Sequence, residues 1–100
     1  MYDNEGFLTD LKQWNEDIAK SIAIQEGITL TAAHWELIYS ARKYHNQFDI
    51  SPEMRPFVKW IGKEFSPEKA RSIYLLSLFP QSPAKIISKI AGLPKPPNCL

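Results

Sequence analysis

Apolar residues recur at three- and four-residue intervals in five stretches of this chain, the spacing that lines side chains along one side of an α-helix. Leu11, Trp14, Ile18 and Ile22 predict a first helix beginning near Asp10 and ending before Gly27, with Lys20 and Glu26 left to solvent. Thr31 has the side chain of an N-cap, and Trp35, Ile38 and Ala41 carry a second helix toward Tyr44. A stop is expected before the polar Asn46-Gln47 and Asp49 region. Three Ser-Pro pairs, Ser51-Pro52, Ser66-Pro67 and Ser82-Pro83, then each announce a helix. Serine accepts from free backbone amides, and proline at the first helical position forfeits no hydrogen bond. Met54, Phe57, Val58, Ile61 and Phe65 form the stripe after the first pair. Ala70, Ile73, Tyr74 and Leu76 follow the second, with Ser77 interrupting before Leu78 and Phe79. Ile86, Ile87 and Ile90 follow the third, and Gly92 is suited to close that helix in a left-handed cap before Pro94 forbids continuation.

The pattern predicts a mainly α protein, a compact bundle of about five helices of roughly nine to sixteen residues. Gly6-Phe7-Leu8 is a candidate short N-terminal β element, and an extended Pro-rich arm closes the chain. One hundred residues with 44% hydrophobic content suit a single domain over 1–100, with 93–100 as a mobile arm. The sequences between the Ser-Pro pairs do not match, so the pairs mark no internal repeat.

Charge removes some functions. With 12 basic and 11 acidic residues the formal net charge is +1, too balanced to attract a polyanion by net field alone. No apolar run approaches the roughly 20 residues of a membrane-spanning helix, and the start lacks the basic and apolar segments of a secretory signal. No membrane association is expected, and the cytoplasm is the default location. The four glycines, Gly6, Gly27, Gly62 and Gly92, stand too far apart to build a phosphate loop, and no close carboxylate pair supplies a general acid and base. His34 and His45 return to nearly the same helix side, but at about 1.5 Å of rise per residue they start roughly 16 Å apart, too far to share one metal ion. No metal or cofactor is implied. The aromatic residues mostly fall on the helical stripes and read as core; Trp60, beside the Phe57–Ile61 line, is the candidate for covering a surface or a partner.

One group with distinct chemistry remains. Cys99, the only cysteine, ends the tail Leu93-Pro94-Lys95-Pro96-Pro97-Asn98-Cys99-Leu100. A lone thiol forms no internal disulfide, which fits a reducing compartment. Position alone leaves an incidental exposed thiol as open a reading as a reactive one. Pro94, Pro96 and Pro97 favour extended polyproline geometry, so eight residues at about 3.1 Å each extend roughly 25 Å. Lys69, Arg71, Lys85, Lys89 and Lys95 gather toward the chain end; a solvated face explains them, and cations near a thiol also favour its anion. The carboxylate of Leu100 acts in the opposite sense.

Leu30-Thr31-Ala32-Ala33-His34-Trp35-Glu36, Leu78-Phe79-Pro80-Gln81-Ser82-Pro83-Ala84-Lys85 and Lys89-Ile90-Ala91-Gly92-Leu93-Pro94-Lys95-Pro96 with Cys99 together resemble the TusE/DsrC family. Gly6-Phe7-Leu8 and Trp14 extend the resemblance toward the start. It implies a small helical protein with an N-terminal β-hairpin whose penultimate cysteine, here Cys99, carries sulfur between proteins as a persulfide. The hairpin's first strand is expected to be mostly missing, because few residues precede Gly6. Members associated with dissimilatory sulfite reductase carry a second cysteine at the position of Ser88; a hydroxyl closes no disulfide, so the chain resembles the relay branch that serves tRNA wobble-uridine thiolation.

The resemblance thus implies a sulfurtransferase in which Cys99 is the persulfide-forming nucleophile and Gly92, Pro94, Lys95 and Pro96 position the tail. The implied partners are a TusBCD-type sulfur donor complex and a tRNA thiouridylase, with tRNA reached only through that enzyme. The alternatives are a noncatalytic DsrC-like partner of a sulfite reductase or other sulfur-metabolism complex, and a nucleic-acid-binding helical domain, which the charge balance disfavours.

Overall fold

The computed structural model describes residues 1–97; Asn98, Cys99 and Leu100 lie outside the described residues. Five helices are formed: α1 (Glu16–Gln25), α2 (Ala32–Phe48), α3 (Met54–Glu64), α4 (Ser72–Leu78) and α5 (Pro83–Ile90). The mainly helical bundle expected from the periodicity is what the chain builds. Its centre is α5, a short and strongly apolar helix, which packs against each of the other four. Ile87, Ser88 and Ile90 are wholly buried there, and Leu37, Ile38, Phe57, Ile61, Leu75 and Phe79 close around them. The root of the C-terminal tail is therefore the end of the most enclosed helix.

Element boundaries depart from the periodicity at four places, each for a tertiary reason. The first helix does not begin near Asp10. Leu11–Gln13 makes one 3₁₀ turn capped by Asp10, the backbone extends at Trp14 (φ −69°, ψ 139°), and α1 starts only after Asn15 accepts from the Ile18 amide at 2.9 Å. The extension at Trp14 lets its indole reach the end of α5. The second helix passes through Asn46 and Gln47 to Phe48, because both amides are exposed and Phe48 stacks on Tyr44 and Trp60 at 4.7 and 5.7 Å. Asp49 then ends it in the left-handed region at φ 58°.

The Ser-Pro pairs divide. Ser82-Pro83 opens α5 as expected, with proline at N1. Ser51-Pro52 does not cap α3, which starts at Met54; the buried Ser51 hydroxyl is used elsewhere. Ser66-Pro67 opens only a turn, in which the Lys69 amide donates to Ser66 O and Lys69 Nζ meets Glu36 Oε1 at 2.8 Å. Ala70 lies against Gly62 so closely that a Cβ there would stand 2.9 Å from Ala70 Cβ. With the turn pinned to α2 and α3, helix α4 shrinks to seven residues. Its buried residue is Leu75, with Phe79 just beyond, whereas Ile73 and Leu76 of the expected stripe are 73% and 41% exposed.

The N-terminal segment forms one antiparallel bridge between Tyr2 and Leu8 rather than a strand. Asp3 Oδ1 accepts from the amides of Glu5 and Phe7 at 2.9 Å each, and Gly6 takes the left-handed conformation the turn needs (φ 88°). Those bonds, that to Phe7 foremost, hold the Asp3 carboxyl below its usual range. Phe7 is buried, and Lys89 Nζ sits 5.2 Å from its ring centre while pairing with Glu26 at 3.3 Å.

Candidate functional site: the seat of the C-terminal tail

Helix α5 ends in a Schellman motif. The Leu93 amide donates to Ser88 O at 2.9 Å and the Gly92 amide to Lys89 O at 3.2 Å, with Gly92 at φ 74°. The remaining carbonyls of the last turn are taken by side chains far away in sequence. Trp14 Nε1 donates to Ile90 O at 2.8 Å, and Arg42 Nη1 donates to Ala91 O at 2.6 Å. Arg42 also lies over the Trp14 ring, 4.0 Å from its centre. Burial pulls the Arg42 pKa below its ordinary value, yet the guanidinium stays charged at neutral pH, and a cation at a helix C-terminus opposes the negative end of the helix dipole.

From Gly92 the tail runs along the body. Leu93 is buried, Ser51 Oγ donates to Pro94 O at 2.6 Å, Lys95 Nζ pairs with Glu5 Oε1 at 3.1 Å, and Pro96 is buried again. Over residues 93–97 the arm is thus seated rather than projecting, because its carbonyls and apolar rings find partners on the body. Pro96 and Pro97 form one wall of a groove of about 550 Å³ at the head of α5, lined also by Met54, Arg55, Leu76 and Lys85. Cys99, the expected nucleophile, lies outside the described residues.

The other expected site residues are brought to this seat: Gly92 turns the chain, Pro94 is held by Ser51, Lys95 by Glu5, and Pro96 by the groove. Three of the basic residues near the chain end are already paired. Lys69, Lys89 and Lys95 are each drawn to a different glutamate, Glu36, Glu26 and Glu5. Trp14, Arg42 and Ser51 were missed as tail-seating residues. Trp14 stands on a helical stripe, Arg42 is one basic residue among many, and Ser51 precedes a proline as a capping serine does; no local signal distinguishes them.

The histidines serve structure. His34 Nδ1 accepts from the Thr31 amide at 3.1 Å, which leaves Nε2 protonated to donate to Leu78 O at 2.9 Å, so one ring ties the start of α2 to the end of α4. Trp60 is half-buried between α3 and α2: its Nε1 donates to Ser40 Oγ at 2.9 Å and its ring meets Tyr44 edge-on at 5.4 Å. No group of three or more metal-ligating side chains occurs among the described residues, and no helix there is long and apolar enough to cross a membrane.

The fold is a five-helix globule whose central helix leads into a Pro-rich tail that lines a surface groove through Pro96 and Pro97. The chain belongs to the DsrC-like protein family, whose model matches residues 1–100. Sulfurtransferase TusE of Buchnera aphidicola subsp. Acyrthosiphon pisum is 50% identical over 98% of this chain and 86% of its own length. Sulfurtransferase TusE of Salmonella typhimurium is 47% identical over 98% of this chain and 90% of its own. Among solved structures, DsrC of Allochromatium vinosum superimposes with a TM-score of 0.90 at 41% identity, covering 99% of this chain and 88% of that one. The oxidized gamma-subunit of the dissimilatory sulfite reductase from Archaeoglobus fulgidus gives 0.84 at 38% identity, covering 100% and 91%.

Proposed function

We propose that this protein is a sulfur carrier whose Cys99 accepts persulfide sulfur and passes it to a tRNA thiouridylase for 2-thiolation of wobble uridine. The observation that carries the reading is near-full-length similarity to sulfurtransferases named TusE, joined to a chain whose only thiol is Cys99. In the loading step the Cys99 thiolate attacks the outer sulfur of a donor persulfide. The new S–S bond forms as the donor's S–S bond breaks, the donor leaves as its thiolate, and no net electrons are exchanged. Delivery repeats the exchange with the acceptor's cysteine as nucleophile. A TusBCD-type complex is the donor in this reading, the cytoplasm its setting, and tRNA is met only through the acceptor. Gly92, Pro94, Lys95 and Pro96 hold the root of the tail so that little chain remains to be ordered on docking, which lowers the entropy cost of each encounter.

Ser88 supports relay over a dithiol redox cycle, since its side chain is wholly buried in α5 and is an alcohol. The similarity to a sulfite reductase gamma-subunit favours a second reading, a DsrC-like partner that docks on such an enzyme without carrying sulfur. Intact mass separates the two. After incubation with a persulfidated donor the protein gains about 32 Da, one sulfur atom, and Cys99→Ser gains nothing. Sulfur uptake and tRNA thiolation supported by Cys99→Ser overturn the carrier mechanism.

A further inference from the structure

The groove at the head of α5 stands among surface features that sulfur exchange at Cys99 does not by itself require. On α3, Arg55, Lys59 and Lys63 are all exposed and recur every four residues, about 6 Å of helix rise apart, forming a basic row. Lys85 lines the same groove as Arg55. None of these four forms an ion pair among the described residues, whereas Lys43, Lys69, Lys89 and Lys95 each have a glutamate. Among the described residues Glu53 is the one carboxylate in the groove lining. Arg55, at the start of the row, shares the groove lining with Leu76 of α4, which exposes Leu76 and Ile73, three residues apart and so on one side of the helix. Ile73 and Leu76 together with the groove give this face adjoining apolar surface open to water.

The length of chain beyond the described residues ties this face to the reaction. Pro97 lines the groove and Cys99 follows two residues later. A fully extended chain spans at most about 3.6 Å per residue, so the two residues from Pro97 to Cys99 allow at most about 7 Å of backbone between the groove wall and the residue that exchanges sulfur. Persulfide exchange brings two sulfurs into contact. A protein that takes sulfur from Cys99 therefore meets this molecule close to the groove.

We infer that the groove, the Ile73–Leu76 strip and the Arg55–Lys59–Lys63 row together form the docking surface for the sulfur-accepting protein, whose matching patch is an apolar ridge bordered by carboxylates. The inference rests on the carrier reading of Cys99. Charge complementarity selects an acidic rim, and the apolar strip selects protein over RNA, because a phosphate backbone gains nothing from Ile73 and Leu76.

The test uses the full chain with Cys99→Ser, so that no covalent product forms, titrated against the purified tRNA 2-thiouridylase of the same organism and, separately, against tRNA alone. The triple variant Arg55→Glu, Lys59→Glu, Lys63→Glu is expected to weaken enzyme binding about tenfold or more and to abolish its salt dependence. Ile73→Ser with Leu76→Ser weakens binding at every salt concentration, and Lys20→Glu on α1 leaves it unchanged. All the altered side chains are exposed, and thermal melting monitored by circular dichroism verifies that each variant folds. Undiminished binding by both multiple variants overturns the inference, as does absence of binding by the parent. Salt-dependent binding to tRNA alone that the triple variant loses also overturns it, making the row an RNA contact. A chain with Cys99 that gains no sulfur mass, while binding responds as expected, overturns the carrier reading and leaves the docking surface standing.

Discussion

Ser88 shows how one atom's surroundings separate structure from chemistry. Its Oγ is buried in α5 without a hydrogen-bond partner among the described residues, while its backbone carbonyl accepts from Leu93 in the Schellman motif. A buried hydroxyl left unpaired is a net cost, and alanine is the better helix former. Ser88→Ala is accordingly expected to be neutral or to stabilise the fold by up to about 1 kcal/mol in urea denaturation, with sulfur uptake at Cys99 unchanged. The same accounting explains His34, which has both ring nitrogens satisfied and none left for a ligand. From the sequence, the distance between His34 and His45 already argued against a shared metal; that His34 instead links Thr31 to Leu78 depends on a contact across 44 residues.

At the level of elements, helix existence was legible and helix ends were not. The spacing of Met54, Phe57, Val58 and Ile61 on α3 and of Ile86, Ile87 and Ile90 on α5 identifies both, since periodic burial is a property of the segment itself. Ser51-Pro52, Ser66-Pro67 and Ser82-Pro83 carry the same local signal, yet only the last opens a helix, because Ser51 is claimed by Pro94 and the turn after Ser66 is claimed by Glu36 and Gly62. The close of α5 is the exception, read correctly from Gly92. Its left-handed φ and the absence of room both demand glycine: a Cβ there would stand 2.8 Å from Trp14 Cγ. Gly92→Ala should lose about 2–4 kcal/mol of stability, from overpacking and left-handed strain together, measured by chemical denaturation.

Across the whole molecule, the tail is held by residues from every part of the chain: Glu5, Trp14, Arg42, Ser51 and the groove at the head of α5. Arg42 is the most exposed to test, because it supplies a charged hydrogen bond to the last carbonyl before Gly92. Arg42→Met keeps the stem over Trp14 and removes the donor. It should cost about 1.5–3 kcal/mol and speed hydrogen exchange at the Leu93 amide, while exchange in the middle of α2 follows only the global loss. Unchanged Leu93 exchange relative to global stability would show that the guanidinium does not hold the tail root.

The sequence alone determined what depends on neighbours along the chain: five amphipathic segments, a glycine-closed last helix, a proline-rich end and a single thiol, together with motifs specific enough to place the family. Tertiary structure decided what depends on partners distant in the chain. It showed that the tail lies against the body as far as Pro97, that Trp14, Arg42 and Ser51 hold its root, and that Lys69, Lys89 and Lys95 go to separate glutamates while Arg55, Lys59 and Lys63 have no ion pair among the described residues. Local propensity and periodicity are written in contiguous residues, but a carbonyl's hydrogen-bond partner or a cation's counter-charge is settled only when the packed helices bring remote side chains within reach.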